Sequence, residues 1–159
     1  MDRLRVVLRV AACIALAVIV VGLSIRQALR AEVRLGDDAP VIITEFVASN
    51  SGGLRDEDGD SPDWIELRNE GNRPVALGGW SLSDDRGHPR KWVFPERTLD
   101  AGAYLIVFAS GKDRRATEGE LHTNFRLDDQ GEYLALYNAA GKADGRNIFF
   151  PRYPRQARD

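Results

Sequence analysis

The chain has 159 residues, a net charge of -2, one cysteine and two histidines, which leaves room for one ordinary domain plus an appendage. The charge is uneven: residues 1–31 carry five arginines against Asp2, a net +4, while residues 32–159 carry 17 basic and 23 acidic groups, a net -6. The cysteine, Cys13, lies in the first part, so the rest has neither a disulfide scaffold nor a cysteine-based zinc site, and its acidity argues against an overall nucleic-acid binder.

Val10 to Ile25 reads VAACIALAVIVVGLSI, sixteen residues without a charge, bracketed by Arg9 and Arg26. As a helix it spans about 24 Å, short against a hydrocarbon core of about 30 Å. Val6, Val7 and Leu8 lengthen it if Arg9 snorkels. We read residues 1–9 as a basic N-terminal segment and 10–25 as a single transmembrane helix, an uncleaved signal anchor. A cleaved signal peptide is the rival, but Leu29 occupies the place where cleavage wants a small residue. Val10-Ala11-Ala12-Cys13 is similar to a lipoprotein box, although most of the apolar run follows the cysteine instead of preceding it. A buried core helix is the fourth reading, against which the lack of a polar stripe counts. Arginines flank both sides, so charge does not fix orientation; a cytoplasmic N-terminus and an exported domain are the default. Residues 26–40, ending in Gly36-Asp37-Asp38-Ala39-Pro40, form a juxtamembrane linker.

From Val41 short apolar runs alternate with turn residues. Val41–Val47 is β-branched, and Asp63–Asn69 alternates, with Ile65 and Leu67 on one face and Glu66 and Arg68 on the other. Arg73–Leu77 is a short strand that Pro74 pushes to an edge. Trp80–Asp84 alternates again, Lys91–Phe94 ends at Pro95, and Ala103–Ala109 reads as a central strand covered on both faces. Glu132–Asn138 and Asn147–Phe150 follow. About eight strands in about 110 residues, with no helical segment, define an all-β sandwich or barrel.

Asp63-Trp64-Ile65-Glu66-Leu67-Arg68-Asn69, followed by Gly79-Trp80-Ser81-Leu82-Ser83-Asp84-Asp85, resembles the hallmark of the lamin tail domain. Val93-Phe94-Pro95, Leu99-Asp100-Ala101-Gly102-Ala103-Tyr104-Leu105, Leu121-His122-Thr123-Asn124-Phe125-Arg126-Leu127 and Gly131-Glu132-Tyr133-Leu134-Ala135-Leu136-Tyr137 extend the resemblance in order. It covers residues 41–150 and implies an immunoglobulin-like β-sandwich. It also implies a non-catalytic role. In bacteria such domains occur in secreted or surface-attached proteins, often beside a hydrolase, and in animals they form nuclear filament tails that bind proteins and DNA. The family commonly continues past a stretch like Phe150-Pro151-Arg152-Tyr153-Pro154, whereas residues 151–159 here are a Pro/Arg-rich tail. We expect either a truncated product or a domain whose extension is absent.

Asp56-Glu57-Asp58-Gly59-Asp60-Ser61-Pro62-Asp63 is the strongest chemical feature. Calcium takes six to eight oxygen ligands, and Asp56, Asp58, Asp60 and Asp63 are the candidate calcium ligands; the glycine falls one place early for an EF-hand. The alternative is a solvated acidic loop. Arg86-Gly87-His88-Pro89-Arg90-Lys91-Trp92 has the makings of a nucleic-acid patch, or of a loop whose charges offset Asp84 and Asp85. Lys112-Asp113-Arg114-Arg115 reads as a solvated loop and His122 as a structural hydrogen-bonder. Trp64, Trp80 and Trp92 read as sandwich core. No Gly-x-Ser-x-Gly and no metalloprotease spacing occurs, so no catalytic residue is assigned. No cofactor is expected, calcium aside.

These readings converge on a non-catalytic binding or scaffolding module, held by its N-terminal helix on the extracytoplasmic side of a membrane. Its partner would be a protein or a cell-envelope polymer rather than nucleic acid. The alternatives are an accessory domain of a secreted hydrolase or nuclease whose catalytic part lies elsewhere, and a calcium-dependent adhesion module.

Overall fold

The structure, a computed structural model, describes residues 40–143 and 145–149. The basic segment, the apolar run 10–25, most of the linker and the tail 151–159 lie outside the described residues. Among the described residues no helix is long and apolar enough to cross a membrane.

The described residues form ten strands: β1 (Val41–Val47), β2 (Asp63–Asn69), β3 (Val75–Ala76), β4 (Ser81–Ser83), β5 (Trp92–Val93), β6 (Thr98–Leu99), β7 (Tyr104–Ala109), β8 (Leu121–His122), β9 (Leu134–Tyr137) and β10 (Ile148–Phe149). A 3-10 turn, Gly145–Asn147, precedes β10. One four-stranded sheet has the order β1-β2-β7-β8, a second the order β10-β9-β4-β5, and β3 pairs with β6 in a small third sheet. Neighbours are antiparallel except β7 and β8, which run parallel. Two of the ten strands, β6 and β8, are additional to those expected from the sequence. Each is two residues long, too short to display an alternation.

The two larger sheets close on one core. Val41, Ile43, Ile65, Leu67, Val107 and Leu121 face Leu82, Trp92, Leu134 and Leu136 in a continuous buried cluster. Full burial of each such side chain stabilises by roughly 1.5–3 kcal/mol. The alternation in β2 works as the sequence demands: Ile65 and Leu67 are fully buried, while Trp64, Glu66 and Arg68 on the other face are half-buried. Trp64 therefore departs from the expected core position. It lies in register between Val47 and Phe108 on the outer face of the sheet. Trp80 and Trp92 are core, at 7% and 0% exposure.

Strand β1 changes face in mid-course. Its register with β2 slips between Ile43 and Glu45, a bulge that lets Val41 and Ile43 point inward before it and Phe46 after it. Asn147, in the 3-10 turn, secures this edge. Its Oδ1 accepts the Ile43 N–H at 2.9 Å, and its Nδ2 donates to the Val41 carbonyl at 2.9 Å. Strand β7 is covered on both sides only in its second half: Val107, Phe108 and Ala109 are buried, whereas Tyr104 is 56% exposed. The cover over Phe108 and its neighbour His122 belongs to the site.

Candidate functional site

The acidic loop between β1 and β2 is a built turn. The Asp56 carboxylate folds back on its own backbone, with Oδ1 accepting the N–H groups of Asp58 (3.1 Å) and Asp60 (2.9 Å). The Asp56 N–H donates to the Asp60 carbonyl at 2.9 Å, and Gly59 adopts φ 82°, which glycine reaches without a Cβ penalty. The Asp56 side chain is 0% exposed.

On the opposing side, the connection after β7 turns through Gly111 (φ 77°) and Asp113 (φ 53°) before β8 returns parallel to β7. That path aims Lys112 at the acidic loop. Its Nζ donates to Asp56 Oδ2 at 2.5 Å, Asp58 Oδ2 at 2.6 Å and Asp60 Oδ2 at 2.9 Å. Arg114 adds hydrogen bonds to Glu57 Oε1 (2.8 Å) and Asp58 Oδ2 (2.7 Å). Glu120, just before β8, closes the ring by accepting the Glu57 N–H at 2.7 Å. Lys112 and Arg114, read from the sequence as a solvated loop, are instead the cationic half of this cluster. The fourth candidate ligand, Asp63, does not join it. Asp63 opens β2, accepts the Asn50 N–H at 3.3 Å, and lines a neighbouring cavity of about 370 Å³ with Ser110, Lys112 and Arg126. A calcium ion at Asp56, Asp58 and Asp60 would therefore have to displace an ammonium group already seated among them.

The electrostatics follow from these contacts. Burial pushes the Asp56 carboxyl up, but the Lys112 ammonium and the backbone donors of the turn outweigh it and hold the carboxyl below its ordinary value. Lys112 and then Arg114 hold Asp58 down at about 2. The same carboxylates raise Lys112. Burial raises the Asp63 carboxyl, outweighing the backbone donors of Asn50 and Leu127 and the field of Arg126.

Behind the cluster sits His122, 0% exposed and stacked on Phe108 at 5.3 Å between ring centroids. Its Nδ1 is 2.9 Å from Ser110 Oγ, and that oxygen also accepts the Lys112 N–H at 3.1 Å. Burial, then the nearby Arg114 and Lys112, depress its pKa, so the ring is neutral at pH 7. Ser110, His122 and Glu120 have the residue types of a hydrolytic triad without its geometry. Ser110 is only 4% exposed, and His122 Nε2 stands 3.7 Å from Glu120 Oε2. Part of the basic stretch 86–92 is engaged within the fold: Lys91 pairs with Asp84 at 2.6 Å, His88 with Asp85 at 2.6 Å, and Trp92 is in the core, while Arg86 and Arg90 are exposed.

Two sheets packed face to face around one core, with a parallel β7–β8 pair at one edge, define an all-β sandwich of immunoglobulin-like type. The sequence model of the Lamin Tail Domain matches residues 37–147, and the chain belongs to that family. No curated protein matches the chain significantly.

Proposed function

We propose that the chain is a membrane-anchored, extracytoplasmic lamin tail domain that binds or scaffolds a protein or envelope polymer and catalyses no reaction itself. The observation that carries this reading is the sixteen-residue uncharged run 10–25, set by a short linker before a sandwich of a non-catalytic family. The charge partition supports it: a basic flank suits anionic headgroups, and an acidic domain is repelled from them. The closed Ser110–His122 contact favours binding over catalysis, and the net -6 of residues 32–159 favours a protein or polymer over nucleic acid. Calcium enters this reading only at Asp56, Asp58 and Asp60, and only by exchange with Lys112.

Fractionation of a C-terminally tagged chain tests the anchor. The full-length protein is expected in the membrane pellet, resistant to high salt and alkaline carbonate and released by detergent. A soluble product beginning near Glu32 would overturn anchoring in favour of a cleaved leader.

A further inference from the structure

His122 leaves one atom unexplained. Its Nδ1 is bonded to Ser110, but Nε2 is buried with no hydrogen-bond partner. A buried imidazole nitrogen without a partner is destabilising, and this one lies 3.7 Å from the Glu120 carboxylate. One ligand atom each from Glu57, Glu120 and His122 lies within 4.8 Å of the other two. We propose that Glu57, Glu120 and His122 bind a zinc-class divalent cation at the edge of the ion-pair cluster, with solvent completing its shell.

The donor set fits that class. Imidazole nitrogen suits zinc far better than calcium or magnesium, and two carboxylates with one imidazole are an ordinary three-ligand set for a site that keeps an open position. In the tautomer protonated at Nδ1, His122 donates to Ser110 Oγ, the outer hydrogen bond by which metal-ligating histidines fix ring orientation, and the Nε2 lone pair is left for the ion. Each glutamate has a second carboxylate oxygen beside the one that meets Arg114 or the Glu57 amide. Glu57 is exposed and Glu120 half-buried, so rotations of the two side chains can bring the three ligand atoms, already within 4.8 Å of one another, around one ion at bond lengths of about 2.0–2.2 Å. The local field favours a cation. Asp56, Glu57, Asp58, Asp60 and Glu120 gather against Lys112 and Arg114, with Arg55 and Arg97 bonded to the neighbouring Gly59 and Gly119 carbonyls, which leaves an excess of one negative charge. Lys112 holds the aspartates and Arg114 bridges Asp58 to Glu57, which leaves Asp60 as the carboxylate that Arg114 does not touch.

The test is calorimetric titration of zinc chloride, against a competing chelator, into the untagged full-length chain kept in mild detergent. One ion per chain is expected, and Glu57→Gln and Glu120→Gln should each weaken binding by about tenfold or more, as loss of one of three protein ligands requires. Asp60→Asn should leave the affinity within about threefold, because the Asp60 carboxylate meets Lys112 and neither Arg114 nor the proposed ligands. His122 is in the packed interior and its variant risks misfolding. The histidine is therefore read in the unaltered chain, by the shift of its imidazole nitrogen resonances on zinc addition. Absence of binding, binding indifferent to both glutamate variants, binding that follows Asp60, or unshifted imidazole resonances would each overturn the proposal.

Discussion

Single side chains carry disproportionate weight where they satisfy buried backbone. Asn147 is 1% exposed and bonds both the donor of Ile43 and the acceptor of Val41. Asn147→Ala orphans both groups, and we expect a loss of about 2–3 kcal/mol in urea unfolding, the cost of buried unsatisfied polar groups. Lys112 works differently, by holding three carboxylates that repel one another. Lys112→Met should lower the melting temperature at pH 7, and calcium should then restore part of it. The unaltered chain should respond far less, which a thermal scan with and without calcium measures. The alternating aspartates offer two readings in the sequence, a calcium loop or a solvated acidic turn. That Lys112 sits among them was not legible there, because residues 52 to 56 positions apart meet only through the β7–β8 return. Trp64 was misjudged for a related reason. Alternation separates two faces but does not say which tryptophan belongs to the core when both faces are partly covered.

Elements show how far pattern reading reaches. Strands β1, β2, β7 and β9 have four to seven residues and declare their period; β6 and β8 have two and are fixed by partners distant in sequence. Leu67 in β2 is 0% exposed within the shared core. Leu67→Ala should cost about 2–5 kcal/mol, the range for truncating a fully buried leucine, read as a fall in the urea midpoint at constant slope. The loop facing β8 adds a pH signature. The folded pKa values of Asp56 and Asp58 lie below their unfolded value of 3.8, that of Asp58 at about 2. Their contribution is thus complete above pH 3.8 and is lost as pH falls toward 2. Asp63, with its pKa raised, opposes this: its folded form takes up a proton more readily than its unfolded form. Acid unfolding should therefore steepen between about pH 4 and 2 in the unaltered chain. Asp58→Asn should flatten that slope, as melting temperatures across the range would reveal.

At the scale of the whole molecule, net charge concealed the organisation that matters. The near-zero total is a cancellation between a basic leader and an acidic domain. The family was readable from several ordered motifs, and the sandwich follows from the same alternation that produced them. A domain of this size buries roughly two-thirds of its unfolded surface, which suffices without disulfides. Partner choice was not readable, because no contiguous stretch of sequence encodes an interaction surface assembled from separate loops. The central claim is an exported domain on a retained anchor, and external protease applied to intact spheroplasts tests it most directly. The account predicts that residues 41–150 are lost or released while a cytoplasmic marker survives. A domain protected until the membrane is lysed would contradict it.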